Sequence, residues 1–414
     1  MRTLSSRASF LTAAAVVAIA LWASGSPAMV YPLYEQSWSL SATTITEIFA
    51  VYPVVMVLTL VVFGTLSDSV GRRVAMLAGL ASIMVGVLAF ALAPDVTWLF
   101  IGRLFQGLGV GLALSPAGAA LVEYGASQTR AGSANTVAIA VGLSLATVVG
   151  GGLLQYAPWP RALTFWVLLT VTAAVGVLAL FLPRLERNGA ARERWRPRPV
   201  HVPRDLRAMV ATAALAITST FALGAVLISL GAQLVKDVLH TDNALVAGLV
   251  LAIGPAGSAV VSLAARRMPV RRAVAVGALV SALATGVLVL SATLSSLPLF
   301  VVASLAFGVS SGLLFLGGLG LVNRHAPARH RAGTLSVVYL VAYVGQGITA
   351  IGLGLLTTAL GLRAALDILG PVLILLALAT TATALLARPT RTAGASLPGD
   401  ATPRLVESSG IRGW

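Results

Sequence analysis

Twelve long apolar stretches, separated by short polar breaks, dominate this sequence and leave few folds open to it. They lie near residues 8–30, 44–66, 74–93, 97–122, 133–155 and 163–182, and then near 208–232, 244–264, 273–291, 298–322, 333–356 and 364–387. Each approaches the ~20 residues that a helix needs to cross the hydrocarbon core of a bilayer. In lipid the backbone must satisfy its own hydrogen bonds, so runs of this length read as helices. Charged residues make up only 10% of the 414-residue chain and the mean hydropathy is +0.94, whereas ordinary soluble domains carry about 25% charge. A soluble globular fold is excluded, and the lipid bilayer is the first partner implied.

The chemistry open to the chain is narrow. It has no cysteine, which removes disulfides, thiolate nucleophiles and sulfur-ligated metals. The four histidines, His201, His240, His325 and His330, lack the HExxH spacing of a helical zinc site. The single lysine, Lys236, stands between Val235 and Asp237 and cannot complete a Walker A loop. An enzyme is not expected, nor any cofactor, and uphill work must draw on a gradient such as that of protons or on a separate subunit.

The polar stretch 183–207 holds eight arginines and four prolines, too charged and too broken to span. It divides the chain into a six-helix bundle (1–182), a linker (183–207), a second six-helix bundle (208–387) and a tail (388–414) that reads as disordered. Outside the spans, 24 basic residues fall on the side of the termini and linker, against Arg161, Lys236 and Arg363 on the other. By the positive-inside rule both termini and the linker are cytoplasmic. The net charge of +15 is thereby explained by topology and nucleic acid is not invoked. Arg2 and Arg7 ahead of the first apolar run could also pass for a secretory signal, whose removal would leave an odd eleven spans.

The halves repeat. Arg72-Arg73 returns as Arg271-Arg272 after 199 residues, Gly107-xxx-Gly111 as Gly308-xxx-Gly312 after 201, and Arg130-Ala131-Gly132 as Arg331-Ala332-Gly333 after 201. Each pair occupies the matching place in its half. The expected fold is therefore an all-α membrane protein of twelve helices in two pseudo-symmetric bundles, with a cavity at their interface that opens to each side in turn.

The most specific local signal is Gly64-Thr65-Leu66-Ser67-Asp68-Ser69-Val70-Gly71-Arg72-Arg73, between the second and third spans. It resembles the G-x-L-x-D-R/K-x-G-R-R signature of the major facilitator superfamily, with Ser69 in place of the usual basic residue. The resemblance extends over nearly the whole chain through helix number, linker and repeat. It implies a secondary transporter in which Gly64, Asp68, Gly71, Arg72 and Arg73 form a latch between the halves. The second copy is degraded, with Leu263, Arg267 and Val270 at the corresponding places.

Arg103 is the one basic residue placed inside a span, five residues from Trp98 and so about 7 Å deep. Burial there costs a few kcal/mol unless the charge is paired or wetted. The stretch Arg103-Leu104-Phe105-Gln106-Gly107-Leu108-Gly109 resembles the family's R-x-x-Q-G-x-G motif, whose arginine is linked to proton coupling. Glu47, three residues into the second span, is the expected partner, and the two together form the proton-responsive pair; a glutamate wetted by headgroups is the other reading. Glu123 is expected in the loop after the fourth span. Gly142 to Gly151 looks like the antiporter motif of drug–proton exporters, with Ala146 and Thr147 replacing its Gly and Pro. Gln106, Gln155, Tyr339, Tyr343 and Gln346 are candidate cavity residues, and their neutral character suits a mostly apolar small molecule.

The expected function is proton-coupled efflux of a small hydrophobic or amphipathic compound by a monomer in a bacterial plasma membrane. An uptake symporter for a sugar or organic metabolite, and a membrane sensor without turnover, are the alternatives.

Overall fold

The computed structural model describes residues 4–63, 69–183 and 206–386, the side chains of 328–332 excepted. The linker proper and the tail, apart from 183, 206 and 207, lie outside the described residues. Among those described, twelve helical segments are long and apolar enough to cross a membrane. They are α1 (Ser6–Trp38), α2 (Ala42–Phe63), α3 (Arg72–Ala91), α4 (Val96–Tyr124), α5 (Gln128–Tyr156), α6 (Leu163–Leu180), α7 (Arg207–Ser229), α8 (Ala244–Ala264), α9 (Val270–Thr293), α10 (Leu297–His325), α11 (Gly333–Leu360, its helix beginning at Ala328) and α12 (Leu362–Leu386). Polar residues set several of their starts. Asp95 accepts from the Thr97 amide at the head of α4, Ser127 from Arg130 at α5, and Asn243 from Leu245 and Val246 at α8. Such caps satisfy amides that the helix itself leaves open.

Two segments run past the ends expected for them. The helix Ser6–Gly25 passes through a 3-10 turn, Ser26–Met29, and resumes as Tyr31–Trp38. Pro27 and Pro32 each sit in the first turn of a new piece, where the missing N–H has no partner to lose. Likewise α7 breaks at Leu230 and continues as Gly231–Gln233 and a π turn, Leu234–Val238. The extensions 31–38 and 231–238 are 200 residues apart, in step with the sequence repeat.

Helix packing repeats as well. In the first half α1 packs on α4, α5 and α6, α2 on α4, and α3 on α4 and α6. In the second, α7 packs on α10, α11 and α12, α8 on α10, and α9 on α10 and α12. The GxxxG pairs do the same work in both. Gly107 and Gly111 let α4 approach the α2 backbone at Tyr52 and Met56, and Gly308 and Gly312 let α10 approach α8 at Gly254 and Ser258. Small residues at such crossings replace side-chain volume with backbone contact. The halves meet through α2 with α11 and α5 with α8, and the duplication turns one of these pairs into the other.

The helix ends that carry the α2–α3, α4–α5 and α10–α11 connections define the linker side, and the opposite ends the distal side. On the distal side one buried apolar cluster crosses the seam, running from Met29, Tyr31, Ile45 and Phe49 to Leu223, Leu234, Leu251 and Leu353. On the linker side the buried clusters are separate. One, around Phe10, Met76 and Leu121, belongs to the first half, and others, around Ile217, Val322 and Leu314, belong to the second.

Candidate functional site

Arg103 lies about two turns into α4 and is completely buried. Its Nε and Nη2 both donate to the Tyr31 hydroxyl, at 2.9 and 2.6 Å, and its Nη1 donates to the Ser24 carbonyl at 2.7 Å and to Gln106 Oε1 at 3.1 Å. The Ser24 carbonyl lies two residues before the 3-10 turn Ser26–Met29, where the α-helical hydrogen-bond register ends. Four rings surround the guanidinium, with centroids 5.6 Å away for Tyr31, 5.8 Å for Phe49, 5.7 Å for Tyr52 and 6.0 Å for Phe90. Gly102 clears space for Phe90, which stacks on Phe165 at 5.0 Å. A buried cation is thus stabilised by neutral acceptors and ring faces, and no carboxylate of the described residues forms an ion pair with it.

The expected Glu47–Arg103 pair does not assemble. Phe49 faces Arg103 from α2, and Glu47, two residues earlier, points about 200° around the helix and is exposed. The inward face of α2 is Ile45, Ile48, Phe49, Tyr52 and Met56, a period that leaves no place for residue 47.

The five cavity candidates separate into three groups. Gln106 is fully buried and supports Arg103, while its Nε2 has no partner. Gln155 is an exposed residue at the distal end of α5, and its Oε1 accepts from the Ala244 amide at 2.8 Å, capping α8 across the seam. It lies at a helix end and not at mid-depth. Tyr339, Tyr343 and Gln346 share one face of α11, at a spacing of four and three. The Tyr339 and Tyr343 rings are 6.3 Å apart, Tyr343 lies 4.6 Å from Phe221 on α7, and Phe221 lies 5.7 Å from Phe315 on α10. Gln346 is buried with Oε1 unpartnered. Tyr343 is close enough to Tyr52 to act on it electrostatically, so an aromatic face of the second half stands across the seam from the ring that borders Arg103.

Gly64 and Asp68 of the latch motif lie outside the described residues. Gly71 precedes α3 with φ +91°, with nothing near the position of a Cβ; conformation, not space, requires glycine there. Arg72 Nη2 pairs with Glu123 Oε1 at 2.6 Å, and Arg73 Nη1 donates to the Leu182 carbonyl at 3.3 Å. Both contacts stay inside the first half, tying α3 to α4 and to the end of α6. Glu123 is correspondingly in the last turn of α4 and not in the following loop, and from there it reaches Arg72.

The seam is closed on the distal side by polar contacts that sequence reasoning missed. Thr43 and Thr358 join α2 to α11 through hydroxyls 2.8 Å apart and the Thr43 amide at 3.0 Å. Gln233 Nε2 donates to Glu35 Oε1 at 3.0 Å between the α7 and α1 extensions. In the α5–α8 crossing, Gly248 meets the Thr147 carbonyl and Gly151 the Ala244 carbonyl too closely for any side chain. The Gly142–Gly151 stretch is therefore used in packing, with Gly142 against Ala18 of α1.

The family description Major Facilitator Superfamily matches residues 11–294 and 256–412. The chain is 28% identical over 183 residues to the major facilitator superfamily multidrug transporter mfsC of Aspergillus fumigatus, covering 43% of this chain and 35% of that protein. It is 33% identical over 139 residues to the multidrug efflux pump LfrA of Mycolicibacterium smegmatis, covering 32% and 27%. The matched stretches thus span about a third or less of these relatives' lengths. Among solved structures, the nucleoside transporter NupG superposes with a TM-score of 0.74 over 91% of this chain and 99% of that one, at 12% identity.

Proposed function

Because this chain belongs to the major facilitator superfamily of membrane transporters, we propose that it exports a small, mostly apolar compound by alternating access, driven by the proton gradient. The observation that carries this reading is the divided core. Buried apolar side chains are continuous across the seam on the distal side and separate in the two halves on the linker side. A rocking transporter in one of its end states has this form, tight at one face and parted at the other. With the basic linker side in the cytoplasm, the state is open inward and a compound enters from inside. A bacterial plasma membrane and a monomeric transporter complete the proposal.

The substrate class rests on the wall chemistry. Tyr52 on one half and Phe221, Tyr339, Tyr343 and Gln346 on the other offer ring faces and neutral hydrogen-bonding groups, while Arg103 is enclosed behind Tyr31 and Tyr52. A phosphate or dicarboxylate requires exposed Arg or Lys; a planar, apolar or cationic compound finds stacking partners. Support also comes from the two relatives named above, whose descriptions are a multidrug transporter and a multidrug efflux pump.

The test is transport in everted membrane vesicles energised with a pH gradient, acid inside. A panel of apolar planar dyes should accumulate in vesicles carrying the protein and leak out when the gradient is collapsed. Accumulation that needs no gradient, or uptake of sugars with none of dyes, overturns the proposal.

A further inference from the structure

We propose that Glu35 and Gln233 form a proton-operated catch on the distal gate, in which Glu35 takes up one proton as the two halves close over it. The inference does not depend on the compound carried or on what drives transport. Glu35 sits on the α1 extension, half-buried, and Gln233 on the equivalent α7 extension, 198 residues later. Their hydrogen bond therefore joins the two equivalent extensions, at the place where those pieces touch.

Both residues line a distal recess of about 550 Å³ that also includes Asp237, Thr357, Thr358 and Arg363. The charged groups near Glu35 are Asp237 and Lys236 from the α7 extension and Arg363 from the start of α12, with Arg161 acting on the neighbouring Tyr34. Arg363 is already engaged, donating to the Thr293 carbonyl at 2.8 Å. Closure thus brings two carboxylates, Glu35 of one half and Asp237 of the other, to a shared recess with a single neutral donor on Glu35. Like charges brought together disfavour having both ionised.

A second observation points the same way. Gln233 Oε1 is buried without a hydrogen-bond partner, an acceptor that lacks a donor. Oxygen and nitrogen of an amide exchange places by a half-turn of the side chain, so the same residue accepts an O–H from protonated Glu35 as readily as it donates to the carboxylate. When the halves part, Glu35 loses Gln233, moves away from Asp237 and enters water, where the charged form is well solvated and the proton is released to the distal solution. Acid on that side therefore favours closure, by the difference in proton binding between the two states.

The test uses the natural absence of cysteine. Ser37→Cys and Leu360→Cys, both exposed and on opposite halves, carry nitroxide labels in nanodiscs, and their distance distribution is recorded between pH 5 and 8.5. The closed-to-open ratio should rise on acidification, approaching tenfold per pH unit near its midpoint, as expected for one proton. Glu35→Gln should remove the pH dependence and keep the gate closed throughout. Asp237→Asn should move the midpoint to lower pH and Lys236→Ala to higher pH, and these two decide the matter if Glu35→Gln fails to fold. A ratio that does not change with pH in the parent, a Glu35→Gln protein that still titrates, or midpoints unmoved by both neighbours overturns the proposal.

Discussion

Replacing Tyr31 by phenylalanine isolates what holds Arg103 in the membrane. The ring, and with it the contact at 5.6 Å from the guanidinium, is retained; the hydroxyl that accepts from both Nε and Nη2 is lost. A hydrogen bond to a charged group is worth about 1.5–3 kcal/mol net. The two bonds share one oxygen, so their sum is not additive and a loss of about 3 kcal/mol is expected. Arg103 and Tyr31 are fully buried, so water cannot replace the acceptor without opening the α1–α4 contact, and this keeps the loss near the full value. At about 1.4 kcal/mol per tenfold, Tyr31→Phe should shift the unfolding equilibrium by about two orders of magnitude. The measurement is a reversible denaturant titration in mixed micelles, with Tyr52→Phe as control. That hydroxyl bonds the Met56 sulfur at 3.3 Å and the Ser24 side chain, both neutral, and not Arg103, so its removal should cost about 0.5–1.5 kcal/mol. If Tyr31→Phe and Tyr52→Phe are equally stable, the hydroxyl is not what stabilises the buried charge and the account of the site is wrong.

Other outcomes follow from the same geometry. Glu47→Gln should leave gradient-driven transport unchanged in proteoliposomes, since Glu47 is exposed and lies on the side of its helix turned from Arg103; a lost pH response would restore it as the coupling site. Gly248→Leu sets a side chain against the Thr147 carbonyl, and overpacking of about 1–3 kcal/mol should lower the closed-to-open ratio at the distal side by about fivefold to a hundredfold, read from the Ser37–Leu360 label distance. Glu123→Gln breaks the Arg72 pair, whose side chains are each 31% exposed. A surface pair of this kind is worth about 0–1 kcal/mol, so an unfolding midpoint displaced by more than that would show Glu123 to be doing more than bridging α3 and α4.

Much of the architecture was legible because its causes are local. A 20-residue apolar run forms a helix in lipid whatever its neighbours are, so all twelve spans lie where hydropathy puts them, and the α8 bounds coincide with the expected 244–264. The duplication was legible for the same reason, since matching residues recur at a fixed offset. Ends were less legible. The first apolar stretch ends near residue 30, yet a proline in a first turn starts a helix as well as it stops one, and through Pro27 and Pro32 α1 continues to Trp38. That continuation carries Tyr31 and Glu35, the residues on which the buried site and the distal contact depend.

The sequence by itself determined that the chain is a membrane protein of twelve spans in two like halves, that Arg103 is a basic residue set inside a span, and that small residues mark the helix crossings. Which residues meet was decided only by the tertiary structure. In a helix each residue turns the next by about 100°, so Glu47 and Phe49, neighbours in sequence, face opposite ways, and Arg103 finds the hydroxyl of Tyr31, 72 residues away, in place of a carboxylate. The contacts of Glu35 with Gln233 and of Gln155 with the Ala244 amide join residues 198 and 89 apart. A hydropathy pattern carries depth along the membrane normal but not rotation about each helix axis, and partners are chosen by rotation.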